Sequence, residues 1–273
     1  LHVLDLFSGI GGFSLGLERA GMRTVAFCEI EPYCRKVLAQ HWSGVPIYED
    51  VRTLTGARLA ADGIVPDVIC GGFPCQDISV AGKGAGIAEG TRSGLWSAYA
   101  RLIGDVRPKY VIVENVAALL VRGIDRVLGD LATLRYDADW HCVSAAAVGA
   151  PHERNRVWIV AYDAFRRRRD RTFEIAGDGG ADGTQIPPGG LRGDVSDTDD
   201  SGCIEQRRTI PIPAQLFAAE CGGWWRVEPD VGRVVDGIPF RVDRLEALGN
   251  AVVPQIPEII GRAIMAHEAT LKH

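Results

Sequence analysis

The run Val3-Leu4-Asp5-Leu6-Phe7 is followed at once by Ser8-Gly9-Ile10-Gly11-Gly12 and then by a helical pattern from Phe13 to Ala20, closed by Gly21. A short apolar strand, a glycine turn and a helix in that order make the first half of a nucleotide-binding crossover, in which the turn brings backbone N–H groups close to a ligand. A second strand, Thr24–Cys28, ends at Glu29. That is where a doubly wound domain places a carboxylate on a ribose hydroxyl of its cofactor. Pro32 then opens a helix through about Gln40, because its fixed φ suits a first helical turn. The glycines read G-x-G-G with the next at Gly16, so the dinucleotide pattern G-x-G-x-x-G is not met. Taken alone, they are also compatible with nothing more than a tight turn into a helix.

Further strands follow at Pro46–Tyr48, leading to Asp50-Val51, and at Asp67–Cys70. The latter runs into Gly71-Gly72-Phe73-Pro74-Cys75-Gln76, a sharp turn that presents Cys75 to a cleft as a nucleophilic thiolate requires. A buried structural thiol is the rival reading. The glycine-rich stretch from Ala81 to Gly90 beside it reads as a lid over the site or as a surface loop. A helix over Ser93–Val106 precedes the strand Tyr110–Val113, which ends in Glu114-Asn115 at the carboxyl edge of the sheet. After a helix near Ile124–Leu134 come strands at Ala138–Val143 and Arg156–Ala161. Arg154 and Arg156, two apart in extended chain, are expected to face the same way. The pattern predicts an α/β fold, a Rossmann-like mixed sheet with helices on both faces.

From about Arg166 to Gly202 the chain is rich in Arg, Asp and Gly and nearly empty of large aliphatic residues, so it predicts a loop-like stretch or a small irregular domain without a substantial core of its own. The expected division is a catalytic and cofactor-binding domain at 1–162, a small target-recognition region at 163–240, and a segment at 241–273 that returns to the first domain through a helix near Pro257–Glu268. With 273 residues, 47% hydrophobic and 24% charged, the chain is long enough for one full core. No run approaches the roughly 18 apolar residues of a membrane span, and a strand-like pattern starts at Leu1 with no leader before it, so cytoplasmic residence is expected. Seven scattered cysteines fit a reducing compartment, and six histidines without ligand spacing predict no metal. A net charge of −5 argues against non-specific coating of nucleic acid but leaves room for a local basic cleft.

Together these blocks resemble the cytosine-5 DNA methyltransferases of bacterial and phage type. Asp5 to Gly12 is similar to the methyl-donor loop, Pro74-Cys75-Gln76 to the nucleophile block, Glu114-Asn115-Val116 to the acid block, Arg154-Asn155-Arg156 to the paired-arginine block, and Gly249-Asn250-Ala251-Val252-Val253 to the last block. The resemblance implies S-adenosylmethionine as cofactor, with Phe7, Gly9, Ile10, Gly11 and Gly12 around it. Glu29 would take the ribose and Ile30 the adenine face. Asp50 and Val51 would hold the adenine edge, and Pro74, Leu95, Asn250 and Ala251 would close the pocket.

It also implies double-stranded DNA as partner, a cognate restriction endonuclease in the same cell, and a monomer. Because carbon 5 of cytosine is a poor nucleophile, a thiolate must first add to carbon 6 while charge is neutralised at nitrogen 3. The implied catalytic set is Cys75 for the addition, Glu114 at nitrogen 3, and Arg154 and Arg156 for the anionic character. The target base must leave the duplex stack, and Gln76, Ser79, Lys83 and Arg92 are expected near the DNA. An RNA-directed relative of the same fold, a non-catalytic donor- or DNA-binding module and a nicotinamide-dependent enzyme are the alternatives. Two departures stand out: His152 replaces the glutamine common before the arginine pair, and the target-recognition region is short and partly acidic.

Overall fold

The computed structural model describes residues 1–74, 95–163 and 247–271. Seven strands form one sheet: β1 (His2–Leu6), β2 (Arg23–Cys28), β3 (Ile47–Tyr48), β4 (Val68–Gly71), β5 (Tyr110–Val116), β6 (Tyr136–Val143) and β7 (Arg156–Asp163), in the order β3-β2-β1-β4-β5-β7-β6. The first five lie parallel, while β7 runs antiparallel to both β5 and β6. The order reverses between β1 and β4, and open α/β sheets bind ligands at the carboxyl ends of their strands at such a point.

The strands are apolar almost throughout because both faces are covered. Successive residues feed opposite sides. Leu4, Leu6, Ile69, Val111, Val113, Val157 and Ile159 join one core with Trp96, Tyr99, Leu102 and Ile103 of α4 (Leu95–Val106) and Val127 and Leu131 of α6 (Ile124–Thr133). Val3, Val68, Ile112 and Val160 join the other, with Phe13 and Leu17 of α1 (Gly12–Arg19) and Ile256, Ile260 and Ile264 of α7 (Gln255–Thr270). The expected mixed Rossmann-like sheet with helices on both faces is what the chain forms.

Pro32 opens α2 (Pro32–His41) at its first helical position, as its sequence context predicts. Elsewhere the boundaries shift. β5 continues through Glu114, Asn115 and Val116 because these pair with Trp158, Val157 and Arg156 of β7, a long-range partner that local pattern does not reveal. Short helices α3 (Gly56–Ala61) and α5 (Leu119–Arg122) escape the periodicity test through their length. Thr55 caps α3 by accepting from the Arg58 N–H. Among the described residues, no helix is long and apolar enough to cross a membrane. Cys28 and Cys70 are buried free thiols, Cys34 is buried as well, and Cys142 is an exposed free thiol.

Candidate active site

The ends of β1 and β4 stand level with Val113 of β5 at the reversal of the sheet. Leu6 pairs with Gly71, and Gly71 with Val113, so Phe7, Gly72 and Glu114 are the next residues along β1, β4 and β5. Local pattern put each of these at a strand terminus. Register brings them together.

On the β1 side, Phe7 and Gly9 both have φ of 53°, and Gly11, the N-terminal cap of α1, has φ of 87°. The loop is anchored from within: Ser8 Oγ donates to the Asp5 carbonyl at 2.6 Å, and the Gly11 N–H to the Ser8 carbonyl at 2.8 Å. Asp5 is wholly buried, and its Oδ2 accepts from Ser14 Oγ at 2.7 Å and Ser14 N at 3.3 Å, tying β1 to the first turn of α1. Burial pushes its carboxyl up to about 7, against the downward pull of the Ser14 bonds. A charged residue inside an apolar strand was the visible signal for this anchor.

Glu29 is buried at the end of β2, and each of its oxygens takes one backbone N–H: Oε2 from Gly9 at 2.6 Å and Oε1 from Glu31 at 2.7 Å. A carboxylate oxygen accepts about two hydrogen bonds, so each has capacity left for a hydroxyl. The space where a Cβ of Gly9 would stand is open to 4 Å. Ile30, 56% exposed, presents an apolar surface beside it. A buried carboxylate with spare acceptors, an open glycine cradle and an exposed isoleucine suit a ligand with a vicinal diol and a flat apolar ring. Asp50 fits less simply. Arg52 brackets its carboxylate, with Nε 3.0 Å from both oxygens and Nη2 2.6 Å from Oδ2, and these bonds hold its carboxyl below the usual range. Val51 is buried and gives its carbonyl to Arg101 Nη2 at 3.1 Å.

On the β5 side, Arg156 Nε lies 3.0 Å from Glu114 Oε1, in a pair whose side chains are only 22% and 12% exposed. Glu114 opposes Trp158 and Arg156 opposes Val116, so the pair is the diagonal of one face of an antiparallel ladder. Burial pushes the Glu114 carboxyl above its ordinary range, against the opposing pull of Arg156 and then Arg154. Gly72 lies against the same carboxylate: a Cβ there would stand 2.6 Å from Glu114 Oε2. Asn115 is buried and holds the turn itself, with Nδ2 donating to the Phe73 carbonyl at 3.1 Å while Oδ1 accepts from the Val116 N–H at 2.8 Å. The bond to Phe73, across 42 residues, is not legible in the sequence.

Arg154 and Arg156 both act on Glu114 electrostatically, but their contacts diverge. Arg154 Nη1 donates to the Gly249 carbonyl at 2.6 Å, and Arg156 Nη1 to the Asn155 carbonyl at 3.0 Å. Asn250 is exposed and Ala251 partly buried, and the Val252 carbonyl sits over Gly12. Pro74 and Leu95 are partly buried, and Leu95 packs against the larger core. Cys75, Gln76, Ser79, Lys83 and Arg92, the expected lid and most of the expected target-recognition region lie outside the described residues.

Comparison with known proteins bears on the whole arrangement. Residues 1–176 match the family model of C-5 cytosine-specific DNA methylases. The chain is 35% identical over 181 residues to Type II methyltransferase M2.BsuMI of Bacillus subtilis, covering 63% of this chain and 44% of that protein. It is 34% identical over 168 residues to Type II methyltransferase M1.HphI of Haemophilus parahaemolyticus, covering 59% and 45%. The match thus spans under half the length of these relatives. A crystal structure of an E. coli prophage protein assigned as a DNA modification methyltransferase superposes with a TM-score of 0.52 and 26% identity, over 61% of this chain and 48% of that one. With three neighbouring strands in level register at the sheet reversal, the buried acid–arginine pair and a family match over residues 1–176, the chain belongs to the C-5 cytosine-specific DNA methylases.

Proposed function

We propose that the protein transfers a methyl group from S-adenosylmethionine to carbon 5 of a cytosine turned out of double-stranded DNA. The observation that carries this reading is the buried Glu114–Arg156 pair, packed against Gly72 two residues before Pro74 and three before Cys75.

S-adenosylmethionine fits the donor side on chemical grounds and, when bound, supplies the electrophilic methyl group. Glu29 would hold its ribose, Ile30 its adenine face, and Phe7, Gly9, Ile10, Gly11 and Gly12 its remaining length. Val51, Pro74, Leu95, Asn250 and Ala251 close around it, and Asp50 joins them once Arg52 turns aside.

Cys75 acts as a thiolate and forms a bond to carbon 6 of the cytosine, which makes carbon 5 electron-rich. Glu114 gives a proton or hydrogen bond to nitrogen 3 as negative charge develops there. Its burial favours the protonated form that this step needs. Arg156 holds Glu114 in place and, with Arg154, offsets the anionic character of thiolate and ring. After transfer, carbon 5 loses its proton to water and the Cys75–carbon 6 bond breaks, returning the thiolate. Gln76, Ser79, Lys83 and Arg92 contact the DNA around the flipped nucleotide. The region 163–240 reads the target sequence, and 241–273 completes the catalytic domain. A monomer, a cognate endonuclease and a cytoplasmic setting belong to the same proposal.

The test is tritium transfer from labelled donor to duplex DNA and to tRNA, followed by bisulfite sequencing of plasmid from expressing cells. Label in DNA cytosine that disappears in Cys75→Ala supports the proposal. Label confined to tRNA, or undiminished in Cys75→Ala, overturns it.

A further inference from the structure

Arg154 stands two residues before β7 with a φ of 34°. A side chain bearing a Cβ adopts positive φ at a cost, and does so where the surroundings hold it there. One contact on it is the bond from its Nη1 to the Gly249 carbonyl, made across 95 residues of sequence. A guanidinium donating to a carbonyl is one of the stronger hydrogen bonds a protein makes.

The acceptor leads straight to the donor side. From Gly249 the chain passes through Asn250 and Ala251, with the Ala251 N–H donating to the Leu248 carbonyl at 3.3 Å, to Val252. The Val252 carbonyl is so close to the glycine loop that a Cβ on Gly12 would stand 2.6 Å from it. Beyond Val252 the segment enters α7, whose Ile256 and Ile260 share a core with Phe13 and Leu17 of α1. The far end of the segment is therefore fixed by packing, and Arg154 fixes the near end.

We infer that Arg154 is a positioning residue for the donor pocket: by holding the Gly249 carbonyl it keeps residues 249–252 seated on the glycine loop at Gly12. Arg156, bonded to Glu114, serves the base side, whereas Arg154 joins its charge near Glu114 to a structural hold on the donor pocket. The inference rests on the donor reading given under Proposed function.

Calorimetry of S-adenosylhomocysteine binding without DNA separates the two. The expected result is measurable binding by the wild-type chain, about tenfold weaker binding by Arg154→Met, as loss of one charged hydrogen bond implies, and substantial recovery in Arg154→Lys. Thermal unfolding confirms that each variant is folded. If Arg154→Met does not fold, hydrogen exchange on the wild-type chain decides: S-adenosylhomocysteine should slow exchange in peptides covering 249–253 and 154–157 together. Wild-type affinity in a folded Arg154→Met, or protection that leaves 154–157 unchanged, overturns the inference alone. Absence of binding by the wild-type chain overturns the inference and the donor reading together.

Discussion

Glu114 and Arg156 face one another across two antiparallel strands, two positions out of register, with Oε1 3.0 Å from Nε. The carboxyl is buried and raised, yet held by a cation, so it is poised to carry a proton without leaving its place. Replacing it by the isosteric amide keeps the shape and removes the acid. Glu114→Gln is expected to lower the methylation rate by 10²-fold or more, a loss typical for a positioned general acid. Single-turnover transfer from tritiated donor is the measurement, and a rate within tenfold of wild type would exclude the assigned role.

Gly72 tests the geometry of the same carboxylate from the other side. Alanine there sets a methyl 2.6 Å from Oε2 and forces the acid to move. A misplacement on the order of 1 Å costs about 10²-fold in rate. Gly72→Ala should therefore lose turnover while keeping affinity for S-adenosylhomocysteine, a split between kcat and donor binding that global unfolding would not produce.

Glu29 makes the complementary case. Its two backbone bonds fix Gly9 and Glu31, and its spare acceptors are the proposed ribose contacts. Glu29→Ala is expected to weaken S-adenosylhomocysteine about hundredfold by calorimetry, as loss of two charge-assisted bonds implies. Unchanged affinity would remove Glu29 from the donor site.

Asp5 links stability to pH. Its folded carboxyl titrates at about 7, above the roughly 3.9 of an unfolded aspartate, so the folded state keeps its proton longer. Below about pH 4 both states are protonated and the contribution is fully present. As pH rises from about 4 to 7 the unfolded chain releases the proton first, and stability is lost. Asn at this position cannot ionise. Between pH 4 and 8 the unfolding free energy of wild type from urea titration should fall relative to that of Asp5→Asn, by roughly 4 kcal/mol over the full window. Parallel free energies would show that Asp5 does not titrate there.

The β1–loop–α1 unit was legible because every determinant is local: an apolar strand, glycines in the turn, a helical period after it. Glu29 at the end of β2 and Pro32 at the start of α2 were legible for the same reason. What sequence hides is set by register and return. The three final residues of β5 depend on β7, Asn115 acts on Phe73, and Gly12 must be small because Val252 arrives from the far end of the chain. Each of these is a contact between distant segments with no periodic trace in either. Asp5 lies between the cases: its oddness in an apolar strand was visible, and its partner Ser14 was not.

The reversed direction of β7 bears on how the proposed recognition segment could be exchanged. The strand starts at Arg156 beside the acid and finishes at Asp163, whose N–H donates to the Lys109 carbonyl ahead of β5, at the opposite edge of the sheet. The carbonyl of Gly249 is held by Arg154, two residues before the start of the same strand. Asp163 and the Arg154–Gly249 contact thus lie toward opposite ends of an eight-residue strand, roughly 25 Å long at about 3.3 Å per residue. Under the proposed domain division, a segment grafted between Asp163 and Gly249 must bridge a distance of that order, so its linker length has to match the sheet.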